Sequence, residues 1–457
     1  MSIPRSTLLE DDAEKAGSAE SRAPDAPPPS ENWAGNVQFR PSRLRQPRTI
    51  AELSAAVRES GKIRVVGSRH SFNAIAATAG TWLDLSELDV PVTFHSPMAV
   101  EVPAAMTLGE VNERLARRGL ALASIGDIDH QQIGGLIATA THGSGLEWGT
   151  MSDLVTAVKL VNGRGELVDI TGGTELAAAR THLGALGAVV SVTLQTCPAH
   201  HLERRRMIRP VDEVLTPEFF HAHTHAQLFH LPFTEGMIVR TLDRTDRPAA
   251  SGLGRYLRRR IEAFKENCGV ELLFAFAGAE RDPARIPALM RRMQRQIGEV
   301  HDVAPSDVQM TSVRTLKYHE LEMALDLRDV RAAFEEVRKT IDSLSQLEPA
   351  AERFFAHLPV TIRAVKGMGD NLLSPTLGRD TAYVSVASRQ GFKGYERYFQ
   401  AVESRLGARF GARPHWAKRH WINPVSLYPG AAEFRRVCQA FDPDGKFRNR
   451  FIESRLT

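Results

Sequence analysis

The run Gly67-Ser68-Arg69-His70-Ser71-Phe72-Asn73 follows a short apolar stretch, Lys62 to Val66, that predicts a β-strand. A strand that ends in a glycine–serine turn presents successive backbone N–H groups to one concave surface, which suits a pyrophosphate. Taken alone the run is weak evidence, because glycine-containing strand ends are common and a lone histidine is more often structural. The candidate ligand-binding residues of this run are Arg64, Gly67, Ser68, Arg69, His70, Ser71 and Asn73.

Two further glycine-rich runs follow, Ile133 to Gly145 and Leu183 to Val190. Small residues let the backbone approach a flat ligand closely, and threonine hydroxyls supply hydrogen bonds. A tightly packed turn and a buried loop with its strand are the structural alternatives. The candidate binding residues here are Gly134, Gly135, Thr139, Thr141, His142, Gly143, Ser144, Val189 and Val190.

The first half of the chain mixes short strands with helices. Capping boxes at Thr49–Glu52 and Thr107–Glu110 each predict the start of a helix. Val155 to Ile170 predicts two strands around an Asn162-Gly163 turn, and Ala188 to Thr196 predicts another. This pattern is typical of an α+β fold.

The second half has longer helical stretches: Pro283 to Glu299, Glu320 to Leu347 and Tyr395 to Phe410. Strand-like pieces at Gly236 to Thr241 and Ala382 to Ala387 separate them. We interpret this half as a second, cap-like domain of helices and strands. The predicted organisation is a disordered tail (1–31), a first domain (32–197), a cap or substrate domain (198–411) and a C-terminal segment (412–457) that returns to the first domain.

Composition excludes several classes of protein. The 58 basic and 54 acidic residues nearly balance, which does not favour nucleic-acid binding. Three scattered cysteines, Cys197, Cys268 and Cys438, form no disulfide framework or zinc motif, so a reducing cytoplasm is the expected location. The N-terminus lacks an apolar signal region, and no stretch approaches the ~20 apolar residues of a membrane span.

Together and in this order, the three glycine-rich runs resemble the PCMH-type FAD-binding domain of the vanillyl-alcohol-oxidase superfamily. The resemblance extends from about Asn32 to the C-terminus and favours the aldonolactone oxidase and alditol oxidase branch. It implies a two-domain α+β fold whose cap domain combines an antiparallel sheet with helices. The other segments that carry it are Asn32 to Asn36, Ser374-Pro375, Gly378 to Thr381, Arg413 to Lys418 and Phe441 to Asn449.

The resemblance implies FAD as cofactor, bonded through its C8 methyl to the histidine of the first motif, here His70. A neutral imidazole nitrogen can add to an electrophilic form of the flavin methyl group. Some relatives carry a second bond from a cysteine. Residues 121–135 contain none, so we expect one attachment only.

The resemblance also implies a set of active-site residues. Lys418, in the Pro-His-Trp-x-Lys motif with His415, is the expected cation or proton handler. The related enzymes carry a Glu-x-Arg pair on a cap-domain strand; here Arg363 is kept and Thr361 stands in place of the glutamate. Ser385 lies on a strand where relatives often carry histidine and threonine.

The loss of a carboxylate at Thr361 leaves two possibilities open. Either Asp127 or Asp129 takes over part of its role, or the substrate no longer presents a polyol there. Gly126, matching a position thought to admit oxygen to the flavin, is compatible with an oxidase and does not exclude another electron acceptor.

A histidine cluster, His221, His223 and His225, has spacing that metal sites use, but no carboxylate triad or cysteine accompanies it. We therefore predict no metal.

The sequence favours an FAD-dependent oxidoreductase that oxidises a CH–OH group of a sugar-derived small molecule, passing electrons to O2 or another acceptor. An alternative is a tailoring enzyme that oxidises a hydroxyl or C–N bond on a larger scaffold, favoured by Thr361 and Ser385. A third hypothesis is a flavin-loaded binding protein without turnover, which the retained Arg363 and Lys418 disfavour.

Overall fold

The computed structural model describes residue 27 and residues 30–249, 261 and 278–456. Most of the predicted tail, and Cys268, therefore lie outside the described residues. The last two residues of that tail, Ser30–Glu31, form a strand (β1) that pairs with β2 (Gln38–Phe39).

The first structural unit is a three-stranded parallel sheet that ends in the first glycine-rich run. Its order is β3-β5-β4, and the helix α1 (Ile50–Glu59) precedes β4. Thr49 caps this helix by accepting a hydrogen bond from the Glu52 backbone N–H, as its sequence predicts. The three strands are β3 (Arg43–Arg45), β4 (Ile63–Val65) and β5 (Thr81–Leu83).

A five-stranded antiparallel sheet follows, with the order β10-β9-β11-β7-β6. The predicted strands on both sides of the Asn162-Gly163 turn are β9 and β10, and the capping box of Thr107 and Glu110 is present at the start of α2. The elements of this region are β6 (Thr93–Ser96), β7 (Ala99–Pro103), α2 (Leu108–Ala116), β8 (Leu120–Ala121), α3 (Ile133–Ala138), β9 (Val155–Val161), β10 (Leu167–Ile170), α4 (Gly173–Arg180), β11 (Ala188–Gln195) and β12 (Cys197–Pro198), with β8 paired to β12.

The second half of the chain builds an eight-stranded antiparallel sheet, with the order β16-β13-β15-β14-β18-β19-β17-β20. Its strands are β13 (His201–Pro210), β14 (His225–His230), β15 (Gly236–Thr245), β16 (Val300–Pro305), β17 (Tyr318–Asp326), β18 (Val360–Val365), β19 (Thr381–Arg389) and β20 (Arg413–Pro414). The accompanying helices are α5 (Val211–Val214), α6 (Pro217–His221), α7 (Ile286–Arg295), α8 (Ser306–Met310), α9 (Val330–Ser345) and α10 (Tyr395–Phe410).

One predicted helix in this half is partly wrong. The stretch from Glu320 to Leu347 is helical only over α9, and its first residues belong to β17. The alternation of polar Glu320 and Glu322 with apolar Leu321 and Met323 has a period of two, which is the period of a strand.

This alternation divides the large sheet into two chemically different faces. Leu321, Ile362 and Val384 on neighbouring strands belong to one apolar cluster with residues of α9 and α10. Successive side chains of a strand point to opposite faces, so Glu322 and Arg363 lie on the other side. The helices cover the apolar face, and the polar face is left for a site.

The C-terminal segment packs against the first half of the chain. Its helices are α11 (Ala431–Phe441) and α12 (Arg450–Leu456). Trp416, Phe434 and Phe451 share one buried cluster with Val158 of the five-stranded sheet. The exact division into domains stays a prediction.

Glu403 on α10 is a buried acid that fixes the end of the segment carrying Lys418. It is 1% exposed, and its carboxylate accepts hydrogen bonds from the backbone N–H of Trp421, at 2.9 and 3.1 Å, and of Ile422, at 3.4 Å. Burial raises the pKa of Glu403 to about 7, although those N–H groups and nearby arginines oppose the shift.

Glu403 predicts a pH dependence of stability. Its pKa is higher in the folded than in the unfolded chain, so its charge destabilises the fold increasingly as pH rises from about 4.5 to about 7. Relative to Glu403→Gln, the wild type should lose up to about 3 kcal/mol of unfolding free energy over that range. Urea unfolding of the flavin-loaded proteins measures it. Glu59→Gln, exposed at the end of α1, is the control; equal pH slopes for wild type and Glu403→Gln would contradict the prediction.

Candidate active site

A cavity lies between the glycine-rich loops of the first half and the polar face of the eight-stranded sheet. Most of the residues predicted from the sequence line it. They are Arg64, Gly67, Ser68, Arg69, His70, Ser71, Asn73, Gly126, Asp127, Gly134, Gly135, Thr139, Thr141, His142, Val189, Arg363, His415 and Lys418.

Other predicted binding residues do not line the cavity, and each has a packing role. A Cβ atom at Gly143 would lie 2.5 Å from the Ile125 carbonyl oxygen, so this glycine permits a close backbone contact. The Ser144 carbonyl accepts a hydrogen bond from His225 Nδ1, at 2.6 Å. Val190 belongs to a buried apolar cluster.

The loop that carries His70 is tied to the segment that carries Lys418. The Phe72 N–H donates to the Ala417 carbonyl, at 2.7 Å. The Asn73 side-chain amide donates to the carbonyls of Trp416, at 2.7 Å, and of Lys418, at 2.9 Å. These hydrogen bonds fix the two predicted functional segments relative to each other.

His70 stands in an aromatic environment at the cavity wall. Its ring is stacked on Trp33 with centroids 5.7 Å apart, and His130 lies edge-on at 4.6 Å. Burial, together with His130 and Lys418, lowers the pKa of His70 to about 4. The imidazole is therefore neutral at pH 7, which is the form that can act as a nucleophile.

The cavity carries polar atoms that fit a polar ligand. Among the described residues, Arg64 Nε, Asp127 Oδ1 and Arg363 Nε are buried without a hydrogen-bond partner. Such atoms are rare in proteins unless a ligand or water satisfies them. A Cβ at Gly135 would meet nothing within 4 Å, so the backbone there is open to close approach. The arginine N–H groups are donors that suit phosphate oxygens, and the Asp127 oxygen is an acceptor that suits a ligand hydroxyl; the open backbone at Gly135 admits a flat cofactor such as FAD.

Arg64, which the sequence analysis predicts to bind the cofactor, also has a structural role. Its guanidinium donates to the carbonyls of Leu183, at 2.8 Å, of Gly184, at 2.9 Å, and of Phe447, at 2.6 Å. Arg64 thus joins the first glycine-rich run to the third and to the C-terminal segment.

Asp127 and Arg363 form an ion pair across the cavity, between the first half of the chain and β18. The side chains are 14% and 16% exposed. Burial raises the pKa of Asp127, but the charges of Arg363, Arg240 and Arg314 outweigh burial and lower it to about 2. Asp127 therefore places a carboxylate beside the retained arginine, although the family's glutamate is absent from β18.

Thr361 and Ser385 lie opposite each other on β18 and β19 and do not line the cavity. The Ser385 hydroxyl donates to Glu322 at 2.8 Å. Neither side chain is therefore placed as a direct substitute for the missing glutamate. Their predicted catalytic roles find no support in this geometry.

Lys418 forms an ion pair with Glu320 of β17, and its ammonium lies 4.9 Å from the centre of the Phe72 ring. Burial lowers the pKa of Lys418, but Glu320 and Glu322 outweigh burial and raise it above its ordinary value. Lys418 is therefore a permanent cation at physiological pH and does not act as a base.

A third buried group joins His142, Glu322 and His415. Because a carbonyl only accepts, His142 Nδ1 donates to the Gly143 oxygen at 2.9 Å, while its Nε2 lies 3.3 Å from Glu322. Burial raises the pKa of Glu322, but the neighbouring His142, Lys418 and His415 outweigh burial and hold that pKa well below its ordinary value, so Glu322 is a carboxylate. The Tyr383 ring stacks on His142 at 3.5 Å.

The ligand atoms of His142, Glu322 and His415 lie within 4.8 Å of one another, a spacing that a metal site uses. His415 Nδ1, however, accepts the Ala417 N–H at 3.0 Å, so its Nε2 carries the proton. Neither ring nitrogen of His415 is then available to hold a metal ion. In the histidine cluster that the sequence analysis set aside, His223 pairs with Asp243 at 3.0 Å and His225 with the Ser144 carbonyl.

Sequence reasoning missed Glu320 and Glu322, which contribute two of the three carboxylates described above. The signal was present in the alternating pattern of β17, but the assignment of this stretch to a helix concealed it. Tyr318, Arg314 and His182 also line the cavity, and no motif pointed to them.

Comparison with known proteins agrees with this geometry. Residues 41–171 match an FAD binding domain, and residues 192–455 match the D-arabinono-1,4-lactone oxidase family. L-gulono-1,4-lactone dehydrogenase of Mycobacterium tuberculosis is 32% identical over 92% of this chain and 96% of its own. Alditol oxidase of a Streptomyces species is 28% identical over 93% and 98%.

A solved structure of cholesterol oxidase from B. sterolicum superposes with a TM-score of 0.78 over 94% of this chain and 96% of its own, at 17% identity. This likeness confirms the two-domain α+β fold. In the part of the chain that the structure describes, no helix combines the length and apolarity that a membrane span requires.

The fold and the cavity define an FAD-dependent oxidoreductase. More than half of the chain matches a single family, and the chain belongs to the D-arabinono-1,4-lactone oxidase family.

The geometry predicts that Asp127, and not Asp129, replaces the missing glutamate. Asp127→Asn should lower kcat/KM for flavin reduction about 10- to 100-fold, because Arg363 loses its charged partner. Asp129→Asn, at an exposed side chain 3.7 Å from His130, is the matched control and should stay within twofold of wild type. Stopped-flow flavin bleaching measures both. Equal losses in the two variants would contradict the assignment.

Proposed function

We propose that this enzyme oxidises a CH–OH group of a sugar-derived small molecule, an aldonolactone or a polyol. The observation that carries this proposal is the polar face of the large sheet, which sets two half-buried ion pairs, Lys418–Glu320 and Asp127–Arg363, against the His70 loop. Such paired donors and acceptors suit several hydroxyl groups at once.

When bound, FAD supplies the hydride acceptor. Lys418, fixed by Glu320 and charged at all physiological pH values, orients the substrate hydroxyl and stabilises negative charge that develops in the cavity. The hydroxyl proton then passes to a carboxylate, and Glu320 is the one in contact with Lys418. Arg363, held by Asp127, binds a second oxygen of the substrate.

The relatives support this substrate class over the alternative of a tailoring enzyme. Their names include a lactone dehydrogenase, an alditol oxidase and L-gulonolactone oxidases, which act on small polyhydroxy molecules. Because Asp127 returns a carboxylate to the arginine, the loss at Thr361 does not require a different kind of substrate.

A panel of substrates tests this proposal. Anaerobic flavin bleaching should occur with aldonolactones or alditols at micromolar to millimolar concentration, the usual range of KM. Larger glycosides serve as the comparison. Bleaching by larger scaffolds alone would favour the tailoring enzyme, and no bleaching by any substrate would favour a binding protein.

We also propose that His70 is bonded covalently to the flavin. The bond would replace the N–H of the neutral imidazole and one C–H of the flavin C8 methyl, and the two electrons would leave to the enzyme's electron acceptor. The depressed pKa of His70, about 4, and its place in the cavity wall support this attachment.

Acid precipitation measures the attachment. The wild-type pellet should be yellow and the His70→Ala pellet colourless, whereas His130→Ala, which changes the neighbouring ring, should keep the colour. A colourless pellet from flavin-loaded wild type would contradict a covalent bond while leaving the FAD assignment intact.

The electron acceptor is proposed to be O2 or another acceptor, a quinone or a cytochrome. Gly126 lines the cavity, and a Cβ there would lie 2.9 Å from the Thr141 methyl group, so even alanine would crowd this position.

The free thiols of Cys197 and Cys438 support a cytoplasmic location.

Glu320 predicts a shift in the pH profile of flavin reduction. It raises the pKa of Lys418, so the activity that needs the charged lysine persists to high pH. In Glu320→Gln the basic limb of the profile should move to lower pH, with a lower maximal rate. Lys418→Met should reduce the rate about 100-fold at every pH. A basic limb that does not move in Glu320→Gln would contradict this role.

A further inference from the structure

A second cavity, of about 560 Å³, lies behind the segment that carries Lys418 and is not part of the flavin cavity. Only Asn73 is shared by the two linings. Its walls come from residues 36–38, 62–63 and 73–80, from the start of α10, from residues 419–421 and from α12 with the residues just before it.

The charges of this cavity do not balance. Five cationic side chains line it and only two carboxylates: Lys62, Arg419, Arg448, Arg450 and Arg455 against Glu396 and Glu453. Both carboxylates are already engaged, Glu396 with Arg419 at 3.3 Å and Glu453 with Lys62 at 3.5 Å. The remaining charge of the lining is positive.

Part of this positive charge is buried. Arg455 is 4% exposed; its guanidinium lies 4.2 Å from the centre of the Phe451 ring and contacts His420 at 3.4 Å. Burial, together with Arg455 and Arg419, lowers the pKa of His420 to about 3, so His420 adds no charge of either sign. Arg448 Nε is buried and has no hydrogen-bond partner among the described residues.

Arg450 does not stabilise the helix that contains it. Arg450 is the first residue of α12, where the helix dipole favours acids and disfavours cations. The cap is supplied by Asn449, whose side chain accepts from the Ile452 N–H at 2.9 Å. Arg450 is exposed at the rim of the cavity, where its guanidinium is accessible to a ligand.

We propose that this second cavity binds a compact polyanion of the phosphate type, such as pyrophosphate or a phosphate ester. Phosphate oxygens accept charge-assisted hydrogen bonds from guanidinium groups, often two from one arginine. The bound anion would contact Arg450 and Arg448 at the rim, whereas the Lys62 ammonium already donates to the carbonyls of Gly445 and Arg448 and to Glu453. Its site adjoins Arg419 and His420, which follow Lys418 directly in the chain.

The test uses flavin-loaded enzyme, so that the cofactor's own phosphate site is filled, and inorganic pyrophosphate as the probe at constant ionic strength. Isothermal titration should show one site per chain. Arg450→Gln and Arg448→Gln should each weaken binding about tenfold, which equals about 1.4 kcal/mol. Arg292→Gln, at an exposed residue of α7, is the matched control and should leave the dissociation constant unchanged.

Citrate in place of pyrophosphate distinguishes phosphate chemistry from carboxylate chemistry, and tighter binding of citrate would overturn the proposed class. Binding that is equal in wild type and Arg450→Gln, or that Asp127→Asn weakens instead, would overturn the site. The proposal does not depend on the oxidised substrate, because neither Arg450 nor Arg448 lines the active-site cavity.

Discussion

The hydrogen bonds between the His70 loop and the Trp416–Lys418 segment are the constraint on which the active site depends. Asn73 donates to two carbonyls of that segment, and the Phe72 N–H donates to a third. Asn73 and Trp416 lie more than 300 residues apart in the sequence. Their contact brings the proposed site of flavin attachment and the permanent cation to the same cavity, and neither half of the chain forms that cavity alone.

The large sheet supplies the second part of this arrangement. The His415 N–H donates to the Glu322 carbonyl and the Arg419 N–H to the Glu320 carbonyl, each at 2.9 Å, so β17 holds the Lys418 segment by its backbone. The side chains of the same two glutamates then partner Lys418 and His142. One strand thus both positions the segment and neutralises its charge, which keeps a half-buried lysine protonated without leaving an unpaired ion.

How much could be predicted from the sequence differs between the two halves. The glycine-rich runs are local signals, since the conformation of Gly67 or Gly135 and its neighbours determines what the backbone can approach, and these residues do line the cavity. Gly143 and Val190 belong to the same runs but face the packed interior. The sequence could not predict this, because a motif does not specify which of its residues point toward the ligand. The α+β architecture followed from capping boxes and strand periods that the structure confirms at Thr107 and Asn162.

The substrate side was harder to predict for a physical reason. Its groups come from non-adjacent strands, and their proximity depends on sheet order, which local patterns do not encode. Thr361 indicated that a carboxylate is missing from β18. Only the structure shows that β18 lies between β14 and β19, and that Arg363 on this strand forms an ion pair with Asp127. Glu320 and Glu322 could have been found from their period of two. Once they are placed, each cation of the two ion pairs in the cavity, Arg363 and Lys418, has its own carboxylate, Asp127 or Glu320. A neutral polyhydroxy substrate fits these ion pairs better than a charged one, because it can exchange hydrogen bonds with both partners of each pair without leaving either charge alone.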